Sequence, residues 1–196
     1  MLFKLMVKRN SKIILLYVIS LMLTNFSITA QNLFTSRKGK VIITFKYSDT
    51  TLTASSSDVL IKLNYSSAQA DFILETKDIK TGIDSLDTML YSSNKILHLF
   101  AELKLDYIDT KKHPKQSFTF SGIIYHYNNN SYTKSKITNV NGKGKLEHIS
   151  ESDNLPACIL TLNFELLSKE LKTVYPFNLM EDFIKVEIIQ TILRSN

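Results

Sequence analysis

From about Lys40 to Ile192, apolar and polar residues exchange places with a period of two, the spacing at which successive side chains leave opposite faces of an extended strand. The run from Cys158 shows it best: Cys158, Leu160, Leu162, Phe164 and Leu166 share one face, and Thr161, Asn163 and Glu165 take the other. Such a strand buries one side only, as antiparallel sheets do. The same pattern predicts strands over Lys40–Tyr47, with Val41, Ile43, Phe45 and Tyr47 on one face, and over a short stretch at Thr51–Ser55. Val59, Ile61, Leu63 and Tyr65, then Ala70, Phe72 and Leu74, give two further runs that read as a hairpin across Ser66-Ser67. Leu99–Tyr107, Ser117–Tyr127 and Ile137–Ile149 continue the series, the last two joined through Asn128-Asn-Asn130. After a mixed polar and apolar connection through Tyr175-Pro176, the final run sets Ile184, Val186, Ile188 and Ile192 on one face with Gln190 as the polar exception.

The period lengthens once. Between Asp84 and Leu97, the residues Leu86, Met89, Leu90, Ile96 and Leu97 recur nearer helical spacing, and Asp84 is placed to cap a first turn. About eight strands in one domain, interrupted by one or two short helices, predict an all-β fold: an antiparallel up-and-down, lipocalin-like β-barrel, with a two-sheet sandwich as the alternative. Gly142 and Gly144 fall on the same face as Leu146, where they mark either a bulge or bend, or room left for a ligand.

Residues 1–30 interrupt the pattern. Lys4, Lys8, Arg9 and Lys12 precede an uncharged apolar run from Ile13 to Leu23 and a small, polar stretch ending at Ala30, the layout of a secretory signal peptide cleaved after Ala30. The apolar run is about half the roughly 20 residues of a spanning helix, so no permanent membrane anchor is expected after cleavage. Residues 31–196 then form one domain, periplasmic or secreted. The full chain carries a formal charge of +6, but four basic residues and no acidic one lie in the cleaved segment, which leaves 20 basic against 18 acidic residues and a charge of +2. The remaining lysines are scattered among Asp and Glu, so nucleic acid is not an expected partner. Cys158 is the only cysteine, which excludes an internal disulfide; its parity with Leu160 and Leu162 predicts a buried, unreactive thiol.

No nucleophile elbow, zinc-protease motif or phosphate-binding glycine loop is present, and Asp84 and Asp87 suit a helix dipole better than acid–base work, so no enzyme, cofactor or metal is expected. His126 and His148 are candidates to meet on inward faces of neighbouring strands, a poor metal site without a third ligand. His98 has no evident partner in the sequence. Lys111, Lys112, His113 and Lys115 form either a solvated loop or a basic collar for a polar head group.

Several stretches together resemble the YceI-like family. Glu75-Thr-Lys-Asp-Ile-Lys-Thr-Gly82, followed by Asp87 and Leu90, is similar to its strand-turn-helix segment. His113-Pro-Lys-Gln-Ser-Phe-Thr-Phe-Ser-Gly122 resembles its proline and aromatic strand, and Val140-Asn-Gly-Lys-Gly-Lys-Leu146 its next strand. The family's Phe-rich turn is replaced by Leu103-Lys-Leu-Asp-Tyr-Ile108, and Glu147-His-Ile149 stands in place of its His-Gly turn, so the chain resembles a distant member. The resemblance implies a lipocalin-like barrel in the periplasm that holds a long apolar small molecule, an isoprenoid or other lipid, in its interior without turnover. On that reading Phe45, Tyr47, Leu63, Phe72, Leu74, Phe118, Phe120, Leu162, Phe164 and Ile188 are the candidate lining. The alternative is a ligand-free interaction or assembly module of the cell envelope, its interior filled and its outer surface in use.

Overall fold

Eight antiparallel strands follow one another around a closed ring in the computed structural model: β1 (Leu33–Tyr47), β2 (Thr50–Asn64), β3 (Gln69–Glu75), β4 (Lys95–Lys104), β5 (Gln116–Asn128), β6 (Ser131–Ser150), β7 (Pro156–Leu167) and β8 (Glu181–Ser195). Each pairs with its successor, and β8 closes on β1 with Val41 opposite Ile188. That last pairing excludes the sandwich, since a sandwich leaves its sheets open. The structure describes residues 33–108, 114–128, 131–150, 156–171, 174, 177 and 180–195. The expected signal peptide, Lys111 to His113, the turn at Asn129-Asn130, Tyr175-Pro176 and the side chain of Gln190 lie outside them. Among the described residues, no helix is long and apolar enough to cross a membrane.

The strands are longer than the alternation predicts, because bulges reverse the parity within them. Thr51–Ser55 and Val59–Tyr65 belong to the single strand β2: its pairing with β1 steps from Val41–Ser56 to Gly39–Val59, so one extra residue is absorbed around Ser57-Asp58. Ala54 and Ser56 face inward before the step and Val59, Ile61 and Leu63 after it. β8 behaves alike. Leu162 opposes Ile188 but Leu160 opposes Thr191, so the inward face passes from Ile188 to Thr191 and Leu193. Ile192, expected on the inner face, is turned outward and is 40% exposed.

The helix is α1 (Asp84–Ser93), buried through Leu86 and Leu90, four residues apart on one face. Ile83, not Asp84, holds the capping position, and no side chain caps it there. Asp87 instead accepts bonds from the Thr81 amide and hydroxyl, both at 2.7 Å. Asn94, left-handed at φ 44°, ends the helix early, so Ile96 and Leu97 open β4 instead of continuing it. The strand expected at Leu99–Tyr107 is β4, shifted to Lys95–Lys104.

The start of β1 and the finish of β8 share one end of the barrel, the terminal end; α1 lies at the other, the helix end. Rings close the terminal end: Phe34, Tyr65 and His148 stand with centroids 5.3 to 6.1 Å apart. Beside them Gln116, 5% exposed, donates to the Tyr107 carbonyl (2.9 Å) and the Tyr65 hydroxyl (3.3 Å), while its Oε1 accepts from the Asp106 (3.1 Å) and Tyr107 (3.3 Å) amides. Gln116→Leu keeps the bulk and removes these bonds, so it should cost about 1–2 kcal/mol in urea denaturation and speed amide exchange at Asp106 and Tyr107.

Candidate functional site

Inside the ring, two regions differ in how they are filled. In the middle, Phe118 pairs with Gly144 and Phe120 with Gly142 across β5 and β6. A Cβ on Gly142 would meet the Phe120 ring, and one on Gly144 the Phe118 ring. The glycines therefore make room for aromatic rings of their own chain. The β5–β6 register runs unbroken through both positions, and the β6–β7 ladder runs without a shift from Gly142, its last pair, through Gly144, so neither marks a bulge. Phe120 continues edge-to-face onto Phe164, centroids 6.0 Å apart at 88°.

Toward the helix end the filling is incomplete. A cavity of about 80 Å³ is lined by Val41, Ile43, Val59, Phe72, Leu74, Leu97, Leu99, Ile124, Phe164, Leu166, Leu171, Phe177, Ile184, Val186 and Ile188, a wall without one polar side chain. Leu171 and Phe177 come from the connection between β7 and β8. There Leu171, Val174, Phe177 and Met180, spaced by three, are all buried, and the Val174 amide donates to the Leu171 carbonyl (2.8 Å) and the Met180 amide to the Phe177 carbonyl (3.3 Å). An engineered void of about 150 Å³ suffices for benzene, and pockets that bury drug-sized molecules measure about 300–1,000 Å³. The space as it stands fits a short hydrocarbon segment. A larger concavity of about 790 Å³ lies on the outer wall, but Lys104, Lys143, Lys145, Thr119 and Asn163 give it a charged and polar lining unsuited to hydrocarbon.

Of the expected lining, Phe72, Leu74, Phe164 and Ile188 border the cavity. Phe45, Leu63, Phe118, Phe120 and Leu162 are buried but belong to the packed core, and Tyr47 packs against it half-buried. Leu171 and Phe177 were beyond the alternation, since a period of three in a connection resembles neither strand nor helix.

The histidines separate. His126 pairs with Leu97 on β4 and with Ser135 near the start of β6, whereas His148 pairs with Cys158 near its finish. They occupy opposite ends of the barrel and cannot share a ligand. His98 does have a partner: Nε2 stands 2.5 Å from Asp71 Oδ1 on the outer wall, and this bond, opposed by partial burial, holds the Asp71 carboxyl below its usual value. Lys115 reaches Glu147 at 2.7 Å, at the terminal end and away from the cavity. Cys158 is fully buried, and burial pushes its thiol up to about 12, so it is a core residue and not a nucleophile.

A closed, eight-stranded up-and-down barrel with an apolar interior defines a lipocalin-like fold. No family model and no curated protein matches the chain. Among solved structures it is similar to a polyisoprenoid binding domain from Saccharophagus degradans implicated in plant cell wall breakdown, with a TM-score of 0.55 and 7% sequence identity over 85% of this chain and 99% of that one. At that identity the likeness is one of fold, and it agrees with the fold that the YceI-like resemblance implies.

Proposed function

We propose that this protein binds a long apolar molecule, an isoprenoid or other lipid, in the helix-end half of its barrel, and carries it without chemical change after export to the periplasm or outside the cell. The observation that carries the reading is the cavity wall, assembled from seven strands and two residues of the connection between β7 and β8 without one polar side chain. A wall of that kind gains from hydrocarbon alone, about 0.8 kcal/mol for each CH2 buried before the costs of association. The fold shared with a domain that binds polyisoprenoid supports the same class of ligand. The layout of residues 1–30 supports export.

A chain longer than a few carbons requires Leu171 and Phe177 to yield. Native mass spectrometry of the protein purified from its own cell envelope, with uptake of a fluorescent prenyl or acyl probe, is the test. Co-purified lipid or saturable uptake is expected, and Phe177→Ala, which widens the cavity, should favour longer probes. No co-purified lipid together with no uptake would overturn the reading and leave the module that works through its outer surface.

A further inference from the structure

We propose that His126 is the polar anchor of the interior ligand, its Nδ1 meeting an uncharged hydroxyl or carbonyl oxygen at one end of the apolar chain. The inference rests on the function proposed above and narrows its ligand from any apolar molecule to one with an oxygen-bearing end.

The placement follows from strand parity. Tyr125 lies on the outer wall, its ring 6.2 Å from that of His98 and beneath the Lys134 ammonium at 3.8 Å, so its neighbours Ile124 and His126 turn the opposite way. Ile124 borders the cavity, as does Leu97, the residue opposite His126 on β4. His126 does not touch the cavity itself; it stands two residues beyond Ile124 toward the helix end, about 7 Å along the strand. A chain lying against Phe164 and Ile188 would bring its outer end to this ring.

The ring is equipped for such a contact and lacks one. Nδ1 is shut off from solvent, yet no hydrogen-bond partner reaches it among the described residues. A buried polar atom is seldom left in this state, because losing its water without gaining a partner is costly and folded proteins almost always supply one. Burial, reinforced by the charge of Lys95, lowers the imidazole pKa, so the ring is neutral at neutral pH. A neutral imidazole has one N–H and one lone pair, and the Nδ1 tautomer can turn either toward the ligand. A hydroxyl suits both; a carbonyl suits the donor.

The full chain and its His126→Leu variant should be titrated with decanol, decanal and decane by displacement of a fluorescent acyl probe. The variant is expected to weaken binding of decanol, decanal or both by up to about tenfold and to leave decane within about twofold. Which of the two oxygenated ligands responds separates hydroxyl from carbonyl. Equal responses of all three ligands, including no response, would overturn the anchor while leaving the carrier intact; failure of the unsubstituted chain to take up any of them, or the probe, would overturn the carrier and the anchor with it. Should the variant not fold, the 15N resonance of His126 Nδ1 in the unsubstituted protein decides: it is expected to move with an oxygenated ligand and not with decane, and a resonance that ignores all three overturns the anchor.

Discussion

Phe120→Ala is expected to cost about 3–5 kcal/mol of folding stability, read as a lower midpoint in urea at unchanged slope. The ring is 2% exposed, lies over Gly142 and meets the edge of Phe164. Its truncation leaves a void inside a wall whose strands are bonded on both sides, so the barrel cannot collapse to fill it, and the full cavity penalty remains. Phe164 borders the existing cavity while Phe120 does not, so the new space lies just behind the present wall. The variant should therefore lose stability yet accept a longer apolar probe. A loss below about 1 kcal/mol would show instead that the ring already faces open space and that the middle of the barrel is not the filled region described above.

The strands were legible in the chain wherever a whole face was apolar, and a barrel of about eight was the expectation from their number, but only the β8–β1 pairing separates it from a sandwich. Strand lengths were not. A bulge consumes one residue without needing a distinctive type, so the parity reversals at Ser57-Asp58 of β2 and before Thr191 of β8 leave no mark except an apparent break, or an isoleucine that looks inward and is not. The end of α1 was hidden for a related reason: Ile96 and Leu97 continue a helical spacing from Leu86 and Leu90, and only the left-handed Asn94 between them stops it.

The site was legible in outline only. Inward parity finds buried side chains but cannot say which meet one another and which border a void, because that depends on cross-strand register. Phe118 and Phe120 carry the same parity signal as Phe72 and Phe164; what sets the first two apart is that their rings lie down over Gly144 and Gly142 of β6, which Phe164, also opposite Gly142, does not do. Likewise the alternation placed His126 inward, but the unsatisfied nitrogen and its nearness to the cavity depend on which residues stand opposite.

That register makes Gly142→Ala the sharper experiment. The added Cβ would meet two neighbours of different stiffness: the Phe120 ring, with Cζ at 2.6 Å, and the backbone carbonyl of Asn163 on β7. A ring can turn aside at the cost of a poorer rotamer, whereas a carbonyl held in a continuous ladder moves only if the strands part. The substitution should destabilise the barrel by about 1–3 kcal/mol, measured by urea denaturation. Made in the Phe120→Ala background it should cost less, by about 1 kcal/mol, because one of the two clashes has gone, but not nothing, because the carbonyl remains. Full additivity would mean the ring does not cover the glycine, and complete rescue would mean the backbone does not confine it. The intermediate outcome follows if β6 is thinned at Gly142 so that an aromatic from β5 can cross it, which is how the barrel fills its middle and confines the open space to the helix end.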